Sequence, residues 1–273
     1  MHFLRPFYYW LSPGLRLFVR RVFYFPADIF SVQKRKGKLL PPKGMIFTGS
    51  GDFLKDGERW CDLLRTYGLK HDDAVLDIGS GIGRIAVGLT EYLSTESRYE
   101  GFDIMKVGVD WCVKNISSQY PHFHFSLIEL KNDLYRTNGE SAEKLTFPYE
   151  KKAFDFAVAT SLFTHMLPEE TANYFHQVSR TLKNGGKMVA TFFVHHKANP
   201  ETNAHISFEF IKDEYALHNE HSKAANVRYD FSLLEEMAKN AGLIIDQVDY
   251  GYWRGTKKSD SKDFQDILVL RKP

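Results

Sequence analysis

Cysteine is scarce in this chain, because among 273 residues only Cys61 and Cys112 are cysteines. They lie in separate helical patterns, with no C-x-x-C motif and no ligand-like spacing to a histidine. A disulfide framework is therefore excluded, since two cysteines can form at most one bridge. We expect both thiols to be small buried side chains, and we expect no metal site.

Long apolar runs are also missing from the N-terminal part of the chain. Its longest uncharged run, Pro6 to Leu15, has ten residues and includes two prolines, whereas a spanning helix needs about 20. Bulky rings, interrupting arginines and the lack of a small-residue cleavage pattern also argue against a cleaved signal peptide. No repeat is visible, and 43% hydrophobic residues suffice for one large domain with an appendage.

Negative charge is nearly absent from the first 43 residues. They contain nine lysines and arginines and one acid, Asp28, which gives a net charge of +8. The rest of the chain then carries 27 basic and 33 acidic side chains, a net charge of −6, although the whole chain is close to neutral at +2. The sequence therefore predicts a basic N-terminal segment, residues 1–45, joined to an acidic, enzyme-like domain, residues 46–273.

The N-terminal segment is rich in aromatic rings, with ten Phe, Tyr and Trp residues among the first thirty. Rings favour the headgroup region of a bilayer and arginines attract anionic lipid, so we expect residues 1–43 to contact an anionic membrane surface. Packing on the catalytic domain, capping of the active site or contact with a second subunit are alternatives. The basic cluster at 34–38 suits nucleic-acid phosphates, but the acidic domain shows no reader motif, and we do not expect nucleic acid as substrate.

Glycine is concentrated in one informative stretch, Gly79-Ser80-Gly81-Ile82-Gly83-Arg84, which follows Val75-Leu76-Asp77-Ile78. The apolar run predicts a short buried strand, and helical spacing resumes at Ile85. Alternate glycines let the backbone bend and approach a ligand closely, and the helix that follows presents unpaired N–H groups. The stretch therefore predicts a nucleotide-cofactor loop with a carboxylate beside it.

Two cofactor classes fit such a loop. The run from Gly81 to Ala86 formally satisfies the G-x-G-x-x-A pattern of dinucleotide-binding proteins. A pyrophosphate would be repelled by Asp77, only two residues before the first glycine, whereas a ligand with an ammonium and a sulfonium would tolerate it. We therefore expect S-adenosylmethionine rather than NAD, with a plain tight turn as the remaining alternative.

A second carboxylate ends the next strand pattern, Tyr99 to Ile104, where Asp103 lies 26 residues beyond Asp77. Acidic residues at the end of the second strand of a βαβ unit accept ribose hydroxyls in nucleotide-binding folds generally. We expect Asp103 to bind ribose. It could at the same time cap the helix predicted to follow.

With these motifs, the chain resembles the class I S-adenosylmethionine-dependent methyltransferases, and among them a bacterial subset, over about residues 46 to 272. The resemblance implies a Rossmann-like seven-stranded sheet, mostly parallel with one antiparallel strand, that binds the cofactor at the carboxyl ends of its strands. The segments that carry it are Asp77 to Arg84, Tyr99 to Ile104, Ser161-Leu162-Phe163-Thr164-His165-Met166-Leu167 and Gly251-Tyr252-Trp253-Arg254-Gly255, with weaker agreement at Gly51-Asp52-Phe53-Leu54, Asn132, Tyr135, Phe147-Pro148-Tyr149 and Gln265-Asp266-Ile267.

The resemblance also implies which residues contact the cofactor. The Ser141-Ala142 region lies where similar enzymes hold the adenine, although Ser141 replaces the acidic residue often found there, and the segment with Phe53 lies at the cofactor entrance. The expected cofactor-binding residues are Asp77, Gly79, Ser80, Gly81, Gly83, Arg84, Asp103, Ile104, Ser141, Ala142, Ser161 and Phe53.

Hydrophobic patterns agree with an α/β architecture, because strand and helix patterns alternate. Gly185-Gly186 is predicted to stop the helix that ends at Lys183. Strands are predicted near 74–79, 98–104, 122–128, 154–160, 186–194, 243–250 and 265–271, and helices at 53–67, 84–94, 105–120, 168–183 and 231–241.

Histidine supplies the candidate base. Methyl transfer depends first on placing the acceptor in line with the breaking C–S bond, and a hydroxyl acceptor also needs a base. His165 follows the strand predicted at 154–160, and the carboxyl end of such a strand faces the ligand crevice. Shaping of the loop is its structural alternative. His195 and His196 follow the next strand, and His196 is the second candidate base.

Residues 195–229 show little periodicity, which is typical of a substrate lid, although a helical insert would also fit. Their histidines, at 195, 196, 205, 218 and 221, do not have the spacing of a closed metal site. The sequence thus predicts a cytoplasmic methyltransferase, peripheral on the inner face of the cell membrane, that methylates an oxygen of a small molecule, glycan or lipid-linked acceptor. The alternatives are a non-catalytic cofactor-binding interaction protein and an NAD-dependent oxidoreductase.

Overall fold

The computed structural model describes residues 13–32, 36–47, 49, 51–130, 139, 141–220, 222 and 225–273. Its helices are α1 Pro13–Phe30, α2 Phe53–Thr66, α3 Arg84–Leu89, α4 Lys106–Cys112, α5 Pro168–Thr181 and α6 Phe231–Asn240. Its strands are β1 Ala74–Ile78, β2 Arg98–Asp103, β3 Phe123–Leu127, β4 Phe154–Ala159, β5 Leu182–His195, β6 Phe210–Ile211, β7 Tyr215–Leu217, β8 Val227–Asp230, β9 Ile244–Asp249 and β10 Asp266–Arg271.

One sheet joins these strands. Strands β3, β2, β1, β4 and β5 are parallel neighbours in that order, and β10 runs antiparallel between β5 and β9. This confirms the predicted α/β fold, with seven strands in the main sheet and β10 as the antiparallel one. Three further short strands extend it, since β8 pairs with the end of β5 and is followed by β7 and β6.

Two hydrophobic cores lie on opposite faces of the sheet, because successive side chains of a strand point to opposite faces. On β1, Val75 belongs to the core built with α2, α3 and α4, whereas Leu76 belongs to the core built with α5 and α6. Both residues are fully buried. Helices therefore cover both faces of the sheet, which leaves its strand ends as the open edge where a ligand can enter.

Some predicted boundaries were wrong. The helix expected at 168–183 ends at Thr181, because β5 begins at Leu182 and takes Gly185 and Gly186 into the strand. The helix expected at 84–94 ends at Leu89, where the Thr90 hydroxyl bonds back to the carbonyl of Val87. Residues 195–229 contribute the three added strands, and their described part contains no α-helix, which contradicts a helical insert.

Candidate active site

A cavity of about 1040 Å³ opens at the carboxyl ends of the parallel strands. Neighbouring parallel strands finish at the same edge of a sheet, and the antiparallel β10 begins there. Residues that follow β1, β2 and β4 therefore meet Gln265, which precedes β10. The residues that line the cavity include Asp77, Gly79, Ser80, Gly81, Arg84, Asp103, Ile104, Thr160, Ser161, His165, Tyr252 and Gln265.

The glycine loop forms one wall of this cavity. Gly79, Gly81 and Gly83 have φ angles of 77°, 58° and 77°, in the left-handed region that favours glycine. The backbone N–H groups of Gly79 and Ser80 donate to the carbonyl oxygen of Phe102 at 2.9 and 3.0 Å. These bonds tie the loop after β1 to the end of β2 and fix the position of its remaining N–H groups.

Asp103 is held in place by that loop. Its carboxylate accepts the N–H of Met105 at 2.7 Å through one oxygen and the N–H of Gly81 at 2.8 Å through the other. Burial raises the pKa of Asp103, although the hydrogen bonds from Met105, Gly81 and Ile104 oppose the shift. A carboxylate has about four lone-pair sites, so Asp103 can accept a ribose hydroxyl without losing these bonds.

Asp77 lies deeper than Asp103. Its residue is 1% exposed, and its carboxylate accepts a hydrogen bond from the Tyr99 hydroxyl. Burial raises the pKa of Asp77 to about 7, a shift that the Tyr99 hydrogen bond reduces and the negative charge of Asp103 increases. A positively charged ligand in the cavity would favour the ionised form, because opposite charges attract strongly at low dielectric.

The Ser80 hydroxyl is a buried polar group that a ligand could satisfy. This hydroxyl has no hydrogen-bond partner among the described residues, although Ser80 lines the cavity. Buried polar groups normally have a partner. A bound nucleoside with an amino-acid tail offers several polar atoms, so the orphaned hydroxyl, the glycine loop and Asp103 fit such a cofactor.

The other wall carries a hydrogen-bonded cluster beside His165. Ser161 has a φ of 52°, a conformation that strains a non-glycine residue. Its N–H donates to the Thr191 hydroxyl at 2.7 Å, and the hydroxyls of Ser161 and Thr191 both donate to the side-chain oxygen of Gln265, at 3.0 and 2.6 Å. This cluster holds the turn after β4 that leads to His165.

Opposite charges alternate at the start of α2. Arg84 donates to Asp56 at 2.6 Å, and Asp56 accepts from Arg59 through its other oxygen at 3.0 Å. Arg59 also reaches Asp263 at 3.3 Å. All four residues line the cavity, so this network joins α2, the glycine loop and the segment before β10 around one opening.

Residues 75–186 match the family described as a methyltransferase domain. That range contains the glycine loop, Asp103 and His165. The mostly parallel sheet with one antiparallel strand is like that of methyltransferase folds. The match of residues 75–186 to this family indicates S-adenosylmethionine as the cofactor, which agrees with the prediction.

Solved structures share this fold at low sequence identity. A Pyrococcus horikoshii protein is 20% identical with a TM-score of 0.55, and 84% of this chain covers 95% of that one. A Burkholderia thailandensis 1,6-didemethyltoxoflavin-N1-methyltransferase with bound S-adenosylhomocysteine is 12% identical with a TM-score of 0.50, over 96% of this chain and 91% of that chain. The cyclase SpnF is 18% identical with a TM-score of 0.53, over 83% of this chain and 84% of that chain.

The cavity brings most of the predicted site residues together. Four of the twelve expected cofactor residues do not line the cavity. Phe53 is buried with the Arg84 guanidinium 5.3 Å from its ring centre, and Gly83 packs against Cys112. Ser141 and Ala142 lie where the Ala142 carbonyl accepts a hydrogen bond from Asn173 at 2.8 Å. Asn132 and Tyr135 lie outside the described residues.

The two candidate bases differ in position. His165 lines the cavity. His196 does not line it. The His196 ring is instead hydrogen-bonded to the Tyr250 hydroxyl and lies 4.6 Å from the ring of Phe231. His195 is 2.9 Å from Glu201.

Residues 195–229 were expected to form a lid, and this role stays a prediction. The described ones do not line the cavity, and His221 lies outside the described residues. The part of the chain that the structure describes also shows no cluster of three His, Cys, Asp or Glu side chains suited to a metal.

Sequence reasoning missed several residues of the site. The partnership of Tyr99 with Asp77 joins two neighbouring strands, and no local pattern signals it. Asp56 and Arg59 follow Asp52 at helical spacing, so a charged stripe on α2 was a readable signal. Gln265 could have been placed at the cavity from the antiparallel direction of β10 alone.

Proposed function

We propose that this protein transfers the methyl group of S-adenosylmethionine to an oxygen atom of a small molecule, glycan or lipid-linked acceptor, with His165 as the general base. One observation carries the proposal. His165 lines the same cavity as Asp103 and the glycine loop, so a proton acceptor shares the space in which the cofactor would bind. A hydroxyl needs such a base, whereas a carboxylate or a neutral amine does not.

The described residues divide the work of this reaction. The cofactor supplies a methyl group on a sulfonium, which is a good leaving group. Asp103 would accept a ribose hydroxyl, the glycine loop would let the backbone approach the cofactor closely, and His165 would take the proton of the acceptor hydroxyl as the new O–C bond forms. The products are a methyl ether, S-adenosylhomocysteine and the proton held on His165.

Charged side chains of both signs line the cavity, five aspartates and five lysines or arginines, and two of the lysines offer a place for a negative group of the acceptor. Lys55 and Lys258 line the cavity, and the Lys258 ammonium lies 5.7 Å from the ring centre of Tyr252. A phosphate or carboxylate on the acceptor would be attracted by both ammonium groups. This charge agrees with an acidic glycan or a phosphate-bearing, lipid-linked acceptor.

The proposal is tested by incubating cell extract with the protein and S-adenosylmethionine that carries a deuterated methyl group. Mass spectrometry should find a product heavier by one labelled methyl, and fragmentation should place that methyl on oxygen. A labelled nitrogen or carbon would overturn the O-methyl assignment. Binding of S-adenosylhomocysteine without any labelled product, in aqueous and lipid extracts alike, would favour the cofactor-binding interaction protein.

A further inference from the structure

We propose that α1 is an in-plane anchor that seats the protein on an anionic bilayer, with one apolar face in the headgroup region and basic groups at its edges. The proposal does not depend on the reaction that the cavity performs. No helix in the described part of the chain is long and apolar enough to span a bilayer, so the contact would lie in the membrane plane.

Large apolar side chains of α1 are exposed along one face. Phe18 is 63% exposed, Val22 58%, Phe25 62% and Ile29 53%. Their spacing of three or four residues places them on one stripe of the helix. Leu15 lies on the same stripe, and Val19, Phe23 and Phe30 form a second row beside it, each more than 40% exposed. A soluble surface rarely shows so many large apolar groups together.

A different face of α1 is fastened to the protein. The Asp28 carboxylate accepts the backbone N–H of Lys43 at 2.6 Å and that of Gly44 at 3.0 Å. A Cβ on Gly44 would lie 3.0 Å from the Cα of Arg21, so the two backbones are in close contact. Because α1 is held through this side, its apolar stripe is directed away from the docking contact.

The positive charge around α1 favours an anionic bilayer over a second copy of the protein as the partner of this stripe. Arg20 and Arg21 lie on α1, and the following segment carries Lys36 and Lys38, which line a cleft of about 630 Å³ together with Lys114. Two copies of the protein would each bring the +8 charge of residues 1–43 to a shared interface, which opposes self-association. An anionic bilayer supplies the complementary charge and accepts the rings.

The anchor lies close to the catalytic cavity along the chain. Only two residues separate Gly44, at the docking contact, from Phe47, which lines that cavity. The Phe47 ring would also lie 3.3 Å from a Cβ on Gly108, next to the glycine loop. A bilayer in contact with α1 would therefore be near the opening of the cavity, where a lipid-carried acceptor could enter.

The test is sedimentation of the full chain with two kinds of vesicle, phosphatidylcholine alone and phosphatidylcholine with one-third phosphatidylglycerol. We expect binding to the anionic vesicles and little to the neutral ones, weakened by 0.5 M salt. The variant F18Q/F25Q/F30Q should lose at least tenfold in partition coefficient, because three exposed rings no longer enter the headgroup region.

A matched control replaces apolar side chains that are exposed elsewhere. Val113→Gln, Ile211→Gln and Ile244→Gln together change residues that are 45%, 73% and 45% exposed, and this variant should sediment like the wild type. Calorimetry with S-adenosylhomocysteine shows that each variant is folded. Wild-type protein that stays in the supernatant with anionic vesicles, or forms a dimer that the phenylalanine variant abolishes, would overturn the proposal.

Discussion

At the residue scale, Asp77 and Asp103 lie near the ends of neighbouring parallel strands but have different hydrogen-bond donors. Asp103 accepts hydrogen bonds from backbone N–H groups, whereas Asp77 accepts one from the Tyr99 hydroxyl. Both residues line the cavity, and Asp77 is the more deeply buried of the two. We therefore expect Asp77 to act mainly through its charge.

The first prediction concerns the base. His165→Gln keeps a polar side chain but removes the proton acceptor, so kcat should fall by about 10²-fold or more while the Kd for S-adenosylmethionine changes little. His196→Gln is the matched control, because His196 does not line the cavity. Steady-state kinetics and calorimetry measure the two quantities. Loss of turnover in the His196 variant alone would show that His196, and not His165, is the base.

The second prediction concerns pH. The pKa of Asp77 is about 7 in the protein without ligand, and a cationic sulfonium binds better to the ionised carboxylate. Affinity for S-adenosylmethionine should therefore rise several-fold from pH 6 to pH 8, the range in which Asp77 loses its proton. Asp77→Asn should bind more weakly and show a flatter profile by calorimetry. Equal slopes in the two proteins would contradict this role.

At the element scale, the sequence identified every strand of the main sheet to within a few residues, because apolar runs bounded by glycines and charges are strong local signals. It was weakest where strands are short, as in β6 to β8, whose pairing with the end of β5 depends on contacts across the sheet. Helix ends were also displaced, since a following strand can take over the last helical residues.

The third prediction tests how α4 packs on the glycine loop. A Cβ on Gly108 would lie 2.2 Å from the carbonyl oxygen of Gly81, so Gly108→Ala must move the loop that shapes the cofactor site. We expect at least a tenfold weaker Kd for S-adenosylhomocysteine, measured by calorimetry. Gly185→Ala is the control, because open space surrounds that position. Its left-handed φ costs about 1 kcal/mol in stability, but affinity should stay unchanged.

At the scale of the whole molecule, one buried carboxylate joins distant parts of the chain. Asp266, fully buried at the start of β10, accepts the N–H groups of Val194, Gly251 and the Trp253 indole, each at 2.8 Å. Burial raises its pKa to about 7, and the hydrogen bonds and Arg254 oppose the shift. This network fixes β5, β10 and the segment from 251 to 255 together.

The fourth prediction is that Asp266→Asn lowers the free energy of unfolding by about 2 kcal/mol or more, because an amide nitrogen cannot accept the hydrogen bonds of a carboxylate oxygen and leaves a buried donor unpaired. Urea unfolding measures it. Asp246→Asn is the control, since Asp246 pairs with Arg271 at 2.7 Å on the surface and should leave the midpoint nearly unchanged. Equal stability of both variants would contradict the structural role of Asp266.

The sequence by itself determined the fold class and placed the glycine loop and Asp103 at the ends of β1 and β2, because these features depend on short runs whose periodicity and glycine placement are local properties. Only the tertiary structure decided that Tyr99 meets Asp77, that Gln265 meets Ser161, and that His165 shares the cavity whereas His196 does not. Those contacts join residues from different strands, and the order and direction of strands in a sheet set them.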